Sequence, residues 1–113
     1  MHELGLMQQA MEIAEEQLRQ QGGQRIHRIA FRIGPLSGVE PDALRFAFEV
    51  SAQNTCAAGA TIDIEVVLLR CWCPVCERDF QPDGFVFLCP GCERVSDDVR
   101  AGREFELVAL EIS

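Results

Sequence analysis

The chain has 113 residues, which fits one domain or one domain that carries a small module. Its 10 basic and 18 acidic side chains give a formal net charge of −8, which disfavours binding to nucleic acid or anionic lipid and favours metal cations or basic partners. No apolar stretch is long enough to cross a bilayer, and the N-terminus lacks the pattern of a signal peptide. We therefore expect a cytoplasmic protein that does not bind membranes and whose six cysteines are reduced, which favours metal ligands over disulfides.

The first two predicted elements are a helix and a strand. Apolar residues recur every three or four positions across residues 4–21 with acidic residues between them, which predicts an amphipathic helix that ends at the glycine pair 22–23. Residues 25–33, RIHRIAFRI, alternate between apolar and polar and predict a half-buried strand. His27 on this strand is interpreted as an ordinary, half-exposed residue rather than a ligand.

A second helix and two more strands follow. Pro41 suits the first position of the helix. The residues predicted for its buried stripe are Leu44, Ala47, Phe48 and Ser51, broadened by Phe46 and Val50. Residues 61–69 alternate and predict a strand, with Ile62, Ile64, Val66 and Leu68 on one face. Residues 104–112 predict another strand whose alternation slips near Val108 and Ala109, which indicates a bulge.

The order helix, strand, helix, strand, cysteine-rich insert, strand predicts an α+β fold. We expect two helices on a small, mainly antiparallel sheet, with an inserted zinc-ribbon-like four-cysteine module. The predicted division assigns residues 1–69 plus 101–113 to the α+β domain and residues 70–100 to the module.

The insert carries two Cys-x-x-Cys pairs. Cys73 and Cys76 form the first pair, Cys89 and Cys92 form the second, and twelve residues lie between the pairs. Two residues between the cysteines let both thiolates hold one ion, so two such pairs can close a tetrahedral four-sulfur site. Zinc is the default ion for a closed, structural site of this kind, and iron is the competitor.

Other features of the insert leave alternatives open. The segment DFQPDGFVF between the pairs predicts a hairpin with a Pro-Asp-Gly turn that brings the pairs together. Cys71 could substitute for Cys73, because only one residue lies between them. Cys56 stands among alanines and is typical of a small buried side chain.

The N-terminus, Met1-His2-Glu3, offers a second metal site. The terminal amine, the His2 amide nitrogen and the His2 imidazole can form two fused chelate rings around one ion. Such a planar, nitrogen-rich set favours Ni(II) or Cu(II), and the Glu3 amide, a carboxylate or water can complete it. Position alone favours a simpler interpretation, in which the histidine lies at a solvated chain end and has no role.

Three classes of function fit these features. The first is a carrier of an exchangeable metal ion. The second is a zinc-ribbon module that binds nucleic acid or protein, although the net charge and the few basic residues near the knuckles argue against nucleic acid. The third is a rubredoxin-like electron carrier with iron in the thiolate site. No nucleophile triad, phosphate-binding loop or paired-acid site indicates an enzyme.

Taken together, the motifs identify a resemblance. The chain resembles the HypA/HybF family of hydrogenase nickel-insertion proteins in MHELGLM at its start, RIHRIAFRIGPLSGVEPDALRFAFEV in the middle, the two cysteine pairs, and GREFELVALEI at its end. The resemblance covers essentially the whole chain, and the combination of these motifs is far more specific than any one of them.

The resemblance implies a nickel metallochaperone and reverses the interpretation of His2. Nickel is then expected at a site built on His2, with Met1 and Glu3 adjoining and Glu40 as a further acidic residue nearby. Zinc is expected on Cys73, Cys76, Cys89 and Cys92. The implied partners are a GTPase of hydrogenase maturation and the large subunit of [NiFe]-hydrogenase, for a monomer or homodimer that has no catalytic residues. Some relatives supply a further histidine near the zinc module, and this chain has none after His27.

Overall fold

The computed structural model describes residues 2–113, so Met1 lies outside the described residues. The elements are helix α1 (His2–Gln20), strand β1 (Ile26–Ile33), a short 3-10 helix (Pro35–Ser37), helix α2 (Pro41–Ala52), and strands β2 (Thr61–Val66), β3 (Arg70–Cys73), β4 (Arg78–Phe80), β5 (Val99–Ala101) and β6 (Phe105–Ile112). This order confirms the predicted α+β arrangement with an insert between the last two strands of the main sheet. No helix of the described chain is long and apolar enough to span a membrane.

The main sheet has the strand order β2-β1-β6, with β1 in the centre. Strands β1 and β2 are parallel because helix α2 carries the chain back across the sheet between them, while β1 and β6 are antiparallel. The register between β1 and β6 shifts so that Ala30 lies opposite Ala109 and Phe31 opposite Leu107. This shift leaves Val108 unpaired and confirms the predicted bulge.

Helices α1 and α2 pack against each other and cover one face of the main sheet. The core between them is apolar and fully enclosed. Its buried members are Met7, Ala10, Met11, Ala14, Leu18, Ile26, Ile29, Phe31, Ile33, Val39, Leu44, Ala47, Phe48, Ala52 and Ala57. This cluster, here called the main core, explains why strand β1 alternates, since Ile29, Phe31 and Ile33 face the helices and Arg32 faces outward.

Helix α1 begins two residues earlier than predicted, at His2, and ends one residue earlier, at Gln20. Its C-terminus is closed by two backbone hydrogen bonds, in which the Gly23 amide donates to the Leu18 carbonyl at 2.9 Å and the Gly22 amide to the Arg19 carbonyl at 3.0 Å. The early start places His2 and Glu3 in the first helical turn.

Two details of the predicted burial pattern are wrong. Phe46 and Val50 do not broaden the buried stripe of α2, because they project away from Leu44 and Phe48 and are 63% and 46% exposed. The strand predicted for residues 61–69 ends at Val66, where the chain leaves the sheet toward the insert. As a result Val66 and Leu68 are exposed instead of continuing the half-buried face of β2.

The insert forms a second, smaller sheet with the order β4-β3-β5, and both of its ladders are antiparallel. Its small core consists of Cys71, Cys73, Phe80 and Cys89. The predicted division into an α+β domain and a module agrees with these two separate cores, but β5 ends at Ala101, past the predicted boundary at residue 100. The division therefore stays a prediction.

The hairpin predicted between the cysteine pairs is only partly formed. A tight turn is present, in which the Val86 amide donates to the Asp83 carbonyl at 3.0 Å. The flanking residues make one isolated bridge, Asp83 to Val86, instead of a ladder, because the strand that precedes the turn, β4, pairs with β3. The two cysteine pairs are therefore brought together by separate turns.

The junction between the two sheets is closely packed. A Cβ atom at Gly34 would lie 2.2 Å from the carbonyl of Gly102, and Gly102 itself has a φ of +126°. The Leu36 amide donates to the Gly102 carbonyl at 2.7 Å, and the Gly34 amide donates to the Glu104 carbonyl at 2.8 Å. Two glycines thus allow the loop after β1 to lie directly on the chain that returns from the insert.

Candidate metal centres

The four paired cysteines converge on one point. The sulfur atoms of Cys73, Cys76, Cys89 and Cys92 all lie within 4.8 Å of one another. The Sγ atoms of Cys73 and Cys92 are 3.6 Å apart, and those of Cys76 and Cys89 are 3.8 Å apart. A tetrahedral ion with metal–sulfur bonds of about 2.3 Å requires sulfur–sulfur edges of about 3.8 Å. The donor set therefore fits one closed four-thiolate site, here called the sulfur cluster.

Each cysteine pair sits on its own backbone turn. The first turn joins β3 to β4, so Cys73 ends a strand. The second turn is closed by an isolated bridge between Leu88 and Val95. In both turns the residue after the second cysteine is a glutamate in the left-handed region, with φ of +53° at Glu77 and +60° at Glu93. The two turns therefore share one geometry as well as one sequence pattern.

Backbone amides point at the sulfur atoms. The Cys76 amide donates to Cys73 Sγ and the Gly91 amide donates to Cys89 Sγ, both at 3.4 Å. Hydrogen bonds from the amides of Cys92 and Gly91 lower the pKa of Cys89 to about 7. Hydrogen bonds to the sulfurs of Cys89 and Cys92 raise the pKa of Cys76 to about 12. Crowded thiols of this kind cannot all ionise without a cation among them, and a divalent ion supplies that charge.

The other two cysteines lie elsewhere. Cys71 is fully buried on β3, packs with Phe80 and Val99, and is not among the four converging sulfurs. Burial raises the pKa of its thiol, so it stays protonated. Cys56 is half-buried and packs against the main core. Both positions fit small apolar side chains, and the geometry gives Cys71 no place in the cluster.

The predicted nickel residues lie at the start of α1. His2 is the first residue of the helix and is exposed, whereas Met1 lies outside the described residues. A carboxylate oxygen of Glu3 accepts a hydrogen bond from the Glu40 amide at 3.1 Å. The Glu40 side chain caps helix α2, since its carboxylate accepts from the Ala43 amide at 2.7 Å. The structure thus joins Glu3, the residue after His2, to the backbone of Glu40.

The contact between Glu3 and the Glu40 amide was missed by sequence reasoning. It joins residues that are 37 positions apart, and no local pattern reports on such a contact. Its effect is to hold the first turn of α1 against the first turn of α2, and the hydrogen bond from Glu40 lowers the pKa of Glu3.

Among residues 2–113, the sulfur cluster is the one group of three or more histidine, cysteine, aspartate or glutamate side chains whose ligand atoms lie this close together. At the start of α1, the side chains of the described residues therefore form no cluster of three ligands. An ion that needs three or more ligands there would draw on backbone nitrogens in addition to the His2 side chain.

Comparison with known proteins agrees with this geometry. Residues 1–112 match the sequence model of a family described as hydrogenase/urease nickel incorporation, metallochaperone, hypA. The chain belongs to the HypA family. Members of this family are nickel metallochaperones of hydrogenase maturation, which confirms the resemblance found in the sequence. A metallochaperone family also agrees with the absence of an enzyme motif from the sequence.

Curated relatives in the HypA family align with the whole chain. A hydrogenase maturation factor HypA from Picosynechococcus sp. is 39% identical over 112 residues, which is 99% of each chain. One from Acidithiobacillus ferrooxidans is also 39% identical, with 99% of each chain covered. One from Chloroflexus aurantiacus is 41% identical, with 98% of each chain covered.

Solved structures with the HypA fold resemble the chain as well. The solution structure of the Ni metallochaperone HypA from Helicobacter pylori aligns with a TM-score of 0.65 and 21% identity, covering 97% of this chain and 96% of that one. A second solution structure, of a HypA protein, aligns with a TM-score of 0.64 and 22% identity, covering 100% and 97%. These similarities confirm the fold, with its two helices and four-cysteine module.

Proposed function

We propose that this protein carries Ni(II) on its N-terminus and delivers it to the large subunit of [NiFe]-hydrogenase, working with a GTPase of hydrogenase maturation. The ligands are the terminal amine of Met1 and the amide and imidazole nitrogens of His2, with Glu3 adjoining and Glu40 nearby. The protein has no catalytic residues, and nickel is its cargo. Membership of the HypA family supports the cargo and the pathway, and the single observation that carries the site is the position of His2 at the start of α1.

Backbone nitrogens at this position are free to bind an ion. The first four amides of an α-helix have no carbonyl acceptor within the helix, so those of His2 and Glu3 can lose their protons to a metal without breaking helical hydrogen bonds. Deprotonation of these amides also reduces the partial positive charge that a helix N-terminus presents to cations. The exposed imidazole of His2 can then complete a planar nitrogen set, which suits Ni(II) and gives no advantage to zinc.

The neighbouring carboxylates support a cation at this place. Glu3 and Glu40 are both acidic, and the hydrogen bond from the Glu40 amide to Glu3 holds the start of α2 against the residue that follows His2. Each carboxylate uses one oxygen for the helix contacts described above, which leaves its other oxygen for water or a metal. We assign Glu3 and Glu40 to the surroundings of the nickel rather than to its planar nitrogen set.

The sulfur cluster takes zinc with a structural role. When bound, zinc joins Cys73, Cys76, Cys89 and Cys92 in a closed site with no open coordination position. Thiolates retain zinc while the nitrogen ligands at the N-terminus exchange nickel, because reprotonation or ligand exchange can open an exposed chelate. The difference in ligand chemistry keeps the two metals apart.

The test is metal content after nickel loading of an untagged protein that retains its free terminal amine. Replacing His2 by Ala should abolish nickel binding and leave one zinc per chain, as measured by mass spectrometry of metals and by calorimetry. His27→Ala is the matched control, since His27 is the other histidine of the chain and lies on β1, where it hydrogen bonds to Ser113.

The expected pattern is nickel binding by wild type and His27→Ala and none by His2→Ala. Blocking the terminal amine with an N-terminal extension should weaken nickel binding in the same way. Nickel affinity that His2→Ala retains in full would overturn the proposed site. Iron in place of zinc in the purified protein would overturn the assignment of the sulfur cluster.

A further inference from the structure

The two cysteine turns are copies of one short pattern. Residues 73–78 read CPVCER and residues 89–94 read CPGCER, so the copies differ at one position, Val75 in the first and Gly91 in the second. Each pattern ends in an arginine, Arg78 or Arg94. The backbone repeats as well, because Glu77 and Glu93 share the left-handed conformation.

At Gly91, where the two copies differ, the space of the missing side chain is filled by the guanidinium of Arg78. A Cβ atom on Gly91 would lie 2.4 Å from Nη2 of Arg78 and 3.2 Å from Sγ of Cys76. The guanidinium of Arg78 therefore crosses from the first turn onto the second, and both it and Sγ of Cys76 border the space that a side chain on Gly91 would occupy. In the first turn the equivalent position carries the side chain of Val75, so the repeat offers Arg94 no matching space.

Arg78 lacks the carboxylate partner that two other arginines of the insert have. Arg70 contacts Asp79 at 3.1 Å and Arg100 contacts Asp98 at 2.9 Å. Within residues 2–113, neither Arg78 nor Arg94 has a carboxylate oxygen within 4.0 Å. No carboxylate of the described residues therefore neutralises the charge of Arg78.

We propose that Arg78 is the cationic partner of the sulfur cluster and makes its metal slow to exchange. The proposal rests on the zinc site proposed above. Four thiolates and one divalent ion carry two excess negative charges, and a guanidinium on the second turn, close to Gly91 and Cys76, offsets part of them. Arg78 is a positioning residue, since it acts on a ligand sulfur and not on the ion.

The four sulfurs of the cluster differ in how accessible they are to attack. Cys73 and Cys89 are buried, at 1% and 0% exposed, whereas Cys76 and Cys92 are half-buried. Attack by a competing ligand, an alkylating agent or a proton must begin at one of the two accessible sulfurs. Because Arg78 and Cys76 border the same space at Gly91, we expect the charge of Arg78 to protect Cys76 and to leave Cys92 as the easier point of entry.

The experiment compares zinc transfer from four proteins that each hold one zinc: wild type, Arg78→Gln, Arg78→Lys and the matched control Arg94→Gln. An excess of a chromogenic chelator reports the rate of zinc loss. Iodoacetamide, followed by peptide mapping, reports the order in which the cysteines are alkylated. We expect Arg78→Gln to lose zinc about tenfold faster, which is the lower end of the effect that residues around metal ligands have on metal affinity.

The other variants test whether the effect depends on the positive charge and on the position of Arg78. Arg78→Lys should restore most of the wild-type rate because it keeps the charge, and Arg94→Gln should stay within about twofold of wild type. Cys92 should be alkylated before Cys76 in wild type, and this difference should disappear in Arg78→Gln. Equal zinc-loss rates for Arg78→Gln and Arg94→Gln would overturn the role of Arg78. A wild-type protein that holds no zinc would instead overturn the metal site on which the role rests.

Discussion

The α+β part and the cysteine module of this small protein are stabilised in different ways. Within residues 2–113, the main core contains 15 buried apolar residues, most of them from the two helices and the sheet. The core of the module has four buried residues, and three of them are cysteines. Apolar burial can stabilise the first region by itself, whereas the second has so little buried apolar surface that we expect it to depend on an ion. We therefore expect one part of this chain to fold without metal and the other to need it.

The strongest test of this difference is to remove one thiolate. Cys89→Ser should prevent zinc binding and unfold the module, because structural zinc sites contribute on the order of 10 kcal/mol to folding. Trp72, the single tryptophan, lies on β3 within the module, so its fluorescence should shift toward that of a solvated indole. The helical signal in circular dichroism should remain, because both helices lie in the α+β part.

Cys56→Ser is the control for this substitution. Cys56 is half-buried at the edge of the main core, far from the four converging sulfurs in the sequence and absent from their cluster. It should leave zinc content and Trp72 emission as in wild type. If Cys89→Ser unfolded both regions together, the two parts would be one cooperative unit and would not be stabilised independently.

The reverse test weakens the main core. Leu44 is fully buried between α2 and the sheet, so Leu44→Ala should lower the free energy of unfolding of the α+β part by about 3 kcal/mol. Thermal unfolding followed by circular dichroism measures this loss. Zinc content and Trp72 emission at room temperature should not change. Phe46→Ala, on the exposed side of the same helix, is the matched control and should cost much less.

The difference between the two regions also decides how much could be predicted from sequence. Helix α1 and strand β1 follow from local periodicity, and the slip at Val108 revealed the bulge because alternation is a local property. The convergence of the four cysteines follows from their spacing, since a tetrahedral ion needs two close pairs.

What could not be predicted depends on contacts between distant segments. The outward position of Phe46 results from how α2 is rotated on the sheet, and the hydrogen bond between Glu3 and the Glu40 amide joins two helix starts. The predicted hairpin paired the residues of β4 with those after the Pro-Asp-Gly turn, whereas β4 pairs with β3. Strand propensity does not choose between two possible neighbours. The place of Arg78 over Gly91 likewise appears only when the two cysteine turns are seen together.

The smallest effect is expected where an arginine has an exposed carboxylate partner. On α1, Arg19 forms an ion pair with Glu16, and its hydrogen bond lowers the pKa of Glu16. Because the pKa of the folded form is lowered, the pair contributes to stability above the ordinary pKa of glutamate, and this contribution is lost as the pH falls through the lowered value. Arg19→Gln should raise the pKa of Glu16, as measured by NMR titration, and change the melting temperature at neutral pH by no more than about 1 °C.

This outcome would complete the contrast with Arg78. Both substitutions remove one guanidinium, but the first leaves a carboxylate that water and salt can screen, and the second leaves a half-buried sulfur in a cluster with excess negative charge. High salt should therefore reproduce the effect of Arg19→Gln on the pKa of Glu16, whereas it should reproduce only part of the effect of Arg78→Gln on zinc loss. A change of several degrees in melting temperature for Arg19→Gln would show that exposed ion pairs help to hold the α+β part, contrary to its stabilisation by apolar burial.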